Sequence, residues 1–361
     1  MENSVSNDAA SAENKPQRAS KVVFSGQGGE FFGIWIVNLL LSIVTLGIYS
    51  AWATVRTRQY FYGHTQIEKQ PFRYLASPIQ ILKGRIIAIV IFALFFAISY
   101  LSPVMAVVLA ILFMFVSPWL VVQSLKFNLR MTSYRNVRFA FHGDYLGAFK
   151  YFILLPILSV FTLYLALPWA LKKIDHYICS NTSFGGKKMQ VTTDTSSYYI
   201  AALVAAAIVF GVMTVVAIIG VVLGILMAVT DSGNASAAAL MTSVAVFVAY
   251  FFAFTLSGAI YHCMIRNHLF ERTELPGIAK FKSKMEVLPF LMLTLTNLVA
   301  IVLTLGLAYP WAKVRKARYL ASVTSLIIYP QIDTLVDEQQ SENSAFGEEA
   351  AGLFDVDVSI A

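Results

Sequence analysis

Long apolar stretches alternate with short basic ones along most of this chain. Residues 86–125, 195–230 and 232–265 contain no Asp, Glu, Lys or Arg, and uncharged apolar runs of such length are typical of transmembrane helices. The pattern predicts a single segment, a pair, a single, a pair and a single, at 31–52, 85–100 with 104–125, 151–169, 199–228 with 237–263, and 287–311. We therefore predict an all-α polytopic membrane protein with about seven hydrophobic segments.

A motif marked by tryptophan recurs at the ends of these segments. An aromatic residue follows each Trp by eight residues and a Thr follows it by thirteen, in Trp52–Tyr60–Thr65, Trp119–Phe127–Thr132, Trp169–Tyr177–Thr182 and Trp311–Tyr319–Thr324. A weaker copy without its Trp lies around Ile260 and ends in Thr273. Recurrence at fixed offsets predicts that the membrane domain is built from internal repeats.

Short β-like pieces are predicted in the cytoplasmic loops between the segments. Phe72-Arg73-Tyr74 and Phe139-Ala140-Phe141 lie at the same offset from Trp52 and Trp119. Residues 21–29, KVVFSGQGG, predict a strand and a glycine turn, and they lack the βαβ context of a phosphate-binding loop. The predicted unit is an apolar segment, a Trp-marked helix, a Thr and a short strand.

The Trp, the residue four positions later and the aromatic at eight share one helix face. The middle position is basic in three copies, at Arg56, Lys173 and Arg315. A Trp followed by Arg or Lys is typical of a membrane–water boundary, where the cation can reach lipid phosphate. We predict interfacial lipid contacts at Trp52, Arg56, Tyr60, Trp119, Trp169, Lys173, Trp311 and Arg315. A plain membrane anchor is the alternative, but it explains the Thr thirteen residues after the Trp less easily.

The distribution of positive charge bears on topology. All 27 Lys and Arg lie outside the two turns of the paired segments, and both flanks of each single segment are basic. Re-entrant single segments, broken at Thr45-Leu46-Gly47 and Thr304-Leu305-Gly306, would place every basic loop and both termini in the cytoplasm. Seven full crossings are the conservative alternative.

The two ends of the chain differ from the body. Residues 1–21 predict a disordered lead, 22–328 a multi-pass membrane domain and 329–361 an acidic disordered tail. Residues 331–361 hold eight of the 20 acids and no base, so the remainder carries 12 acids against 27 bases. Such a body predicts anionic phospholipid as its partner rather than nucleic acid.

Few residues in the chain suggest chemistry. His176 with Cys179, and His262 with Cys263 and His268, could be metal ligands, but no carboxylate completes either set. No catalytic pattern is evident, so we predict no enzymatic activity, no metal and no cofactor.

Polar groups within the apolar segments are hydroxyls and amides. Asn38 and Asn297 each precede a Thr by seven residues, at Thr45 and Thr304, and a Trp by fourteen. These four residues could line a polar path for a solute, since matched broken segments are where transporter sites tend to lie. Hydrogen bonding between helices is the alternative reading.

Several of these residues resemble a known family. Glu30-Phe31-Phe32, Ile34 to Asn38 (IWIVN) and Thr45 to Tyr49 (TLGIY) with Trp52 are similar to the YjgN-like inner-membrane proteins of Gram-negative bacteria. The resemblance covers about residues 22–328, implies a multi-pass inner-membrane protein and supplies no catalytic or ligand residues. The copy at Trp169 departs from it, with Leu155 in place of the Asn and Tyr164 in place of the Gly.

Two functional hypotheses follow from these observations. The first is a transporter or channel for a small solute that uses the broken segments. The second is a non-catalytic membrane scaffold, or anionic-lipid-binding protein, that uses the Trp–basic faces. They differ in whether Asn38 and Asn297 face a wet cavity or a dry helix contact.

Overall fold

The computed structural model describes residues 17–230 and 235–336. Its helices form five helical hairpins that stand on a ring of short strands. The helices are α1 Gly28–Val44, α2 Ser50–His64, α3 Pro78–Leu101, α4 Pro103–Arg130, α5 Tyr145–Phe161, α6 Leu167–Ser180, α7 Thr195–Thr230, α8 Ala235–Glu271, α9 Val287–Leu303 and α10 Tyr309–Ser322. Consecutive pairs, from α1/α2 to α9/α10, are called helical hairpins 1 to 5.

The strands form one antiparallel sheet in the order β7-β6-β5-β4-β3-β2-β1-β11-β10-β9-β8. They are β1 Arg18–Phe24, β2 Thr65–Ile67, β3 Gln70–Tyr74, β4 Thr132–Tyr134, β5 Val137–Phe141, β6 Thr182–Phe184, β7 Lys187–Lys188, β8 Gln190–Val191, β9 Thr273–Leu275, β10 Ala279–Ser283 and β11 Thr324–Ile328. The outermost strands β7 and β8 are separated only by Met189, so the sheet closes on itself into a barrel-like ring. Pairing of Arg18 with Ile328 joins the two ends of the described chain.

The prediction of an all-α fold is therefore wrong. The β-like pieces at 72–74 and 139–141 lie in β3 and β5, and residues 21–24 lie in β1, but they belong to an eleven-stranded sheet rather than to isolated loops. Each strand is only two to seven residues long, and many partners are distant in sequence. Local periodicity carries no information about such pairings.

The count of seven membrane segments is also wrong. Among the described residues, four helices are long and apolar enough to cross a membrane: Pro78–Leu101, Pro103–Arg130, Thr195–Ile225 and Thr242–Glu271. The three single segments instead contain shorter apolar helices, α1, α5 and α9. The chain reverses after each of them, so the returning helices α2, α6 and α10 supply the Trp-marked end of each predicted segment. The breaks at Thr45 and Thr304 lie where the re-entrant interpretation places them, and the one at Thr162 was not predicted.

A shared turn reverses these three helical hairpins. At Thr45, the Gly47 N–H donates to the Ser42 carbonyl at 2.7 Å and the Leu46 N–H donates to the Ile43 carbonyl at 3.1 Å, which is a Schellman motif. Leu46 has φ of +50° and Gly47 has φ of +90°. The Thr45 hydroxyl donates to the Leu41 carbonyl at 2.7 Å and accepts the Tyr49 N–H at 2.9 Å. One threonine thus closes the outgoing helix and caps the returning one.

The other two turns have the same geometry. Leu163 and Leu305 both have φ of +50°, and the hydroxyls of Thr162 and Thr304 accept the N–H groups of Ala166 and Ala308 at 3.1 and 2.8 Å. The leucines at the tips of the three turns are 94, 84 and 95% exposed at Leu46, Leu163 and Leu305. Each turn therefore satisfies its own backbone and presents an apolar tip.

The threonine that ends each motif copy connects a returning helix to the ring. All five donate their hydroxyl to the carbonyl four residues earlier, at 2.6 to 2.9 Å, and each begins a strand: Thr65, Thr132, Thr182, Thr273 and Thr324. Each also pairs with the last residue of the strand before the same helical hairpin, namely Phe24, Tyr74, Phe141, Val191 and Ser283. All five helical hairpins consequently leave the ring from one rim, called here the helix-side rim.

The interior of the ring is an apolar core. It contains the residue two positions after each of these threonines: Ile67, Tyr134, Phe184, Leu275 and Leu326. Residues 331–336 are helical, and their Ile332, Leu335 and Val336 belong to the same core. Asp333 bonds Arg18 at 2.8 Å and Arg135 at 2.7 Å. Since Arg135 lies in the turn between β4 and β5, this segment covers the rim opposite the helices.

Parts of both predicted terminal segments belong to the folded structure. Residues 18–21 belong to β1, and 331–336 to the segment that packs into the ring. The rest of the predicted N-terminal lead, at 1–16, and of the acidic tail, at 337–361, lies outside the described residues.

Candidate functional site

The Trp–basic–aromatic faces lie on the helices that return to the ring. Trp52 is half-buried and stacks on Tyr49 with ring centroids 6.1 Å apart. Trp311 is 42% exposed and stacks on Phe32 at 4.7 Å. Trp119 is 51% exposed, and Trp169 is half-buried. Trp52 and Trp311 therefore combine a packed ring face with an accessible edge.

The basic residues of these faces differ in their contacts. Arg56 and Arg315 are exposed, whereas Lys173 is half-buried. Arg315 donates to the Asn297 Oδ1 at 2.9 Å and to the Thr296 hydroxyl at 3.3 Å. Among the described residues, no carboxylate lies within ion-pair distance of any of the three basic groups.

The aromatics at the eighth position face inward. Tyr60 is only 8% exposed, and its hydroxyl donates to the Gln27 carbonyl at 2.9 Å. Tyr177 and Tyr319 donate in the same way to the carbonyls of Asp144 and Glu286 at 2.8 and 3.1 Å. Each of these carbonyls belongs to the residue just before the outgoing helix. These tyrosines thus tie the base of a helical hairpin together.

The two matched amides lie in different environments. The Asn297 Nδ2 donates to the Ala312 carbonyl at 3.2 Å, and its Oδ1 accepts from Arg315, so both amide atoms bind α10. Asn38 is 4% exposed, and neither its Nδ2 nor its Oδ1 has a hydrogen-bond partner. The hydroxyls of Thr45 and Thr304 are engaged in the turns. The structure places no hydrogen bond between the Asn38 and Asn297 side chains.

A cavity of about 340 Å³ lies at the helix-side rim, between α2 and α4. It is lined by Phe61, Tyr62, Thr65, Phe72, Leu129, Thr132 and Phe139. Phe72 and Phe139 also line a smaller, wholly apolar space of about 100 Å³ inside the ring. The cavity and the ring interior therefore share two of their lining side chains.

Two cations lie beside this cavity that the sequence analysis did not single out. Arg58 is one helical turn before Phe61 and Tyr62, and its Nη1 donates to the Tyr74 hydroxyl at 2.7 Å and to the Asn128 Oδ1 at 2.5 Å. The Lys313 Nζ lies 4.9 Å from the centroid of the Phe61 ring. One sequence pattern could have pointed to Arg58. The residue six positions after the start of the motif is Arg in two copies, at Arg58 after Trp52 and at Arg266 after Ile260.

The opposite rim carries the charged contacts of the ring. Burial raises the pKa of Tyr134 to about 12, with the nearby Glu68 carboxylate adding to the effect, and the Tyr134 hydroxyl donates to the Ile67 carbonyl at 3.0 Å. Burial opposes ionisation of Asp333, but its hydrogen bond from Arg135 and the charge of Arg18 outweigh this and lower its pKa. In the ranges 17–230 and 235–336, no group of three or more His, Cys, Asp or Glu could hold a metal ion.

The four long apolar helices define an integral membrane protein, here combined with a ring of strands. A family model described as a bacterial protein of unknown function (DUF898) matches residues 19–353. The chain belongs to that family, and the resemblance to YjgN-like proteins is confirmed.

The curated relatives are inner membrane proteins by name. The chain is 26% identical over 378 residues to the inner membrane protein YjgN of Salmonella typhimurium, which covers 92% of this chain and 94% of that protein. It is 24% identical over 368 residues to the protein of the same name from Escherichia coli O157:H7, covering 90% and 92%. The Escherichia coli K12 protein is 32% identical over 142 residues, or 38% of this chain and 34% of that protein. No solved structure matches the chain.

Proposed function

We propose that this is a non-catalytic, multi-pass inner-membrane protein that holds anionic phospholipid around a cytoplasmic ring. The observation that carries the proposal is the exposure of Arg56 and Arg315 about one helical turn from accessible tryptophans, without carboxylate partners among the described residues. The name of the relatives supports the inner membrane as its location.

The lengths of the helices support two kinds of hairpin. Helices α3 and α4 have 24 and 28 residues, or about 36 and 42 Å at 1.5 Å per residue. That exceeds a hydrocarbon core of about 30 Å. Helices α1 and α9 have 17 residues each, or about 25 Å. Helical hairpins 2 and 4 therefore span the membrane, and 1, 3 and 5 enter from the cytoplasm and turn back within it.

Charge supports the same orientation. All helical hairpins leave one rim of the ring, and the outer strand positions include Arg73, Arg138, Lys188, Lys280 and Lys282. Placing the ring and both termini in the cytoplasm puts these cations on the side favoured for Lys and Arg. We further propose that the five helical hairpins are copies of one repeat, each ending in the threonine that begins a strand, and that the copy around Ile260 is helical hairpin 4.

Anionic lipid suits the Trp–basic faces because each exposed Lys or Arg near an anionic surface contributes about 1 kcal/mol. The tryptophan of each face lies about one helical turn further from the ring of strands. Lys173 completes the set on helical hairpin 3. Tyr60, whose hydroxyl is engaged at the base of helical hairpin 1, supports this face from within.

The test is the lipid composition that stays with the protein on polymer extraction from the native membrane. The protein should retain a higher fraction of anionic phospholipid than the surrounding bilayer. A triple variant with glutamine at three helix positions should retain no more anionic phospholipid than the surrounding bilayer contains: Arg56→Gln, Lys173→Gln and Arg315→Gln. The matched control neutralises three exposed cations of the ring: Lys188→Gln, Lys280→Gln and Lys282→Gln. Equal enrichment in both triple variants would contradict lipid binding at the Trp–basic faces.

A second candidate function is favoured by one observation. Asn38 buries an amide with no partner, which is costly unless water or a solute completes it. A solute path along α1 would explain that cost. It would be closed at the ring in this conformation, because the ring interior is filled by apolar side chains and covered by residues 331–336.

A further inference from the structure

We propose that the cavity between α2 and α4 is a binding site for one anionic phospholipid, whose acyl chain enters the cavity and whose headgroup lies on Arg58 and Lys313. This inference deepens the proposed function and rests on it for the choice of ligand. It concerns residues separate from the Trp–basic faces.

The cavity has the size and lining of a site for a hydrocarbon chain. Its volume of about 340 Å³ falls within the usual range for ligand pockets. Four phenylalanine and leucine side chains line it, namely Phe61, Phe72, Leu129 and Phe139. The space inside the ring that shares Phe72 and Phe139 is lined by hydrophobic residues throughout. A polar solute would find few partners here.

The charge at the edge of the cavity selects the headgroup. Arg58 shares a helix face with Phe61 and Tyr62, and the Lys313 ammonium stacks over the rings of Phe61 and Phe31 at 4.9 and 5.6 Å. Among the described residues, neither cation has a carboxylate within ion-pair distance. A half-buried cation without a counterion is costly, and the net negative headgroup of an anionic phospholipid would supply that counterion.

The position of the site gives the lipid a route. The cavity lies where Thr65 and Thr132 end their helices, which is the cytoplasmic boundary in the proposed orientation. The Arg58–Asn128 hydrogen bond links α2 to α4 beside it. A headgroup at this depth is level with the inner leaflet, so the lipid needs no crossing of the bilayer to reach the site.

The experiment is photo-crosslinking of the full-length protein in nanodiscs of phosphatidylcholine that contain phosphatidylglycerol with a diazirine in one acyl chain. Peptide mapping should find label on the segments around Phe61 and Leu129. A phosphatidylcholine probe with the same labelled chain should label these segments at least about tenfold less, because it lacks a net negative charge. Equal labelling by both probes, or label confined to lipid-exposed helix surfaces, would overturn the proposal.

Two pairs of variants sharpen the result. Leu129→Trp fills the cavity and should remove its label, whereas Leu120→Trp, at a 43% exposed position of the same helix, should not. Arg58→Gln should reduce the label about tenfold, Arg58→Lys should restore it, and Lys126→Gln, an exposed cation on α4, should leave it unchanged. Persistence of the label in Leu129→Trp would contradict the cavity assignment, and the wild-type map tests the site if that variant does not fold.

The same labelling separates this site from the proposed function. The triple variant at Arg56, Lys173 and Arg315 should lose bulk anionic enrichment and keep the cavity label. If the triple variant instead lost the cavity label and kept its anionic-lipid enrichment, the cavity would not be a site separate from the Trp–basic faces. Absence of the label in the wild type, with enrichment intact, would reject the cavity site and leave the Trp–basic faces standing.

Discussion

Replacing the two matched asparagines by leucine should change stability in opposite directions. Asn38 and Asn297 occupy the same place before their Thr and Trp, yet only Asn297 is hydrogen-bonded. Leucine has the same branching and the same number of side-chain heavy atoms as asparagine, so the main change in each case is removal of the amide. The sign of the effect therefore reports on what the amide binds.

The magnitudes follow from the contacts. Asn297→Leu loses two hydrogen bonds to α10, each worth about 0.6 kcal/mol between membrane helices, and should destabilise by about 1 kcal/mol. Asn38→Leu removes an amide that is 4% exposed with both atoms unpartnered. The cost of such a group is about 1–3 kcal/mol, so this variant should stabilise by about 1 kcal/mol or more. The two variants should differ by about 2 kcal/mol.

Thermal unfolding of the two purified variants beside the wild type, in one detergent, measures this difference. A lower midpoint for Asn297→Leu and a higher one for Asn38→Leu are expected. If Asn38→Leu is destabilised as much as Asn297→Leu, the Asn38 amide has a partner, and a water or solute bound there would favour the solute path. That result would refute the assumption that the Asn38 amide lies in a dry helix contact, on which the predicted stabilisation of Asn38→Leu depends.

Two further predictions concern the turns and the ring. Thr304→Val should destabilise by about 1–3 kcal/mol because it leaves the Ala308 N–H without its partner, whereas Thr304→Ser should recover most of the loss in the same unfolding assay; equal stability of the two variants would contradict the capping role. The pKa of Asp333 is lowered in the folded protein. Its ionised carboxylate therefore stabilises the packing of residues 331–336 fully above the pKa of an Asp in the unfolded chain, and this stabilisation is lost as the pH falls through the pKa of Asp333 in the folded protein. Proteolytic release of the C-terminal segment should therefore rise below about pH 4 in the wild type, and Asp333→Asn should show high release at neutral pH with no such rise.

The sequence predicts the membrane character and the motif, but not the way in which the units close. Helix-end signals such as Thr45-Leu46-Gly47 are local, so a break there can be read from the chain. The pairing of Arg18 with Ile328 joins residues at opposite ends of the described chain, and no local pattern encodes it. The threonine thirteen residues after each Trp was unexplained by membrane anchoring because its role, ending a helix and starting a paired strand, appears only in the ring.

The candidate site shows the same limit. The face with Trp52 and Arg56 follows from helical periodicity alone. The cavity beside Arg58 depends on Leu129 of the next helical hairpin and on Phe139 of β5, which only the ring brings close. Likewise, Asn38 and Asn297 have matched places in sequence, and only the packing of α10 distinguishes their partners.

The orientation of the ring is tested most directly by single cysteines and a membrane-impermeant thiol reagent. In a background without Cys179 and Cys263, Ser102→Cys reports on the turn between α3 and α4, and Lys187→Cys reports on β7 in the ring. Intact spheroplasts should label Ser102→Cys, and Lys187→Cys should react only after the membrane is opened. Labelling of Lys187→Cys from outside would contradict a cytoplasmic ring and, with it, the re-entrant helical hairpins.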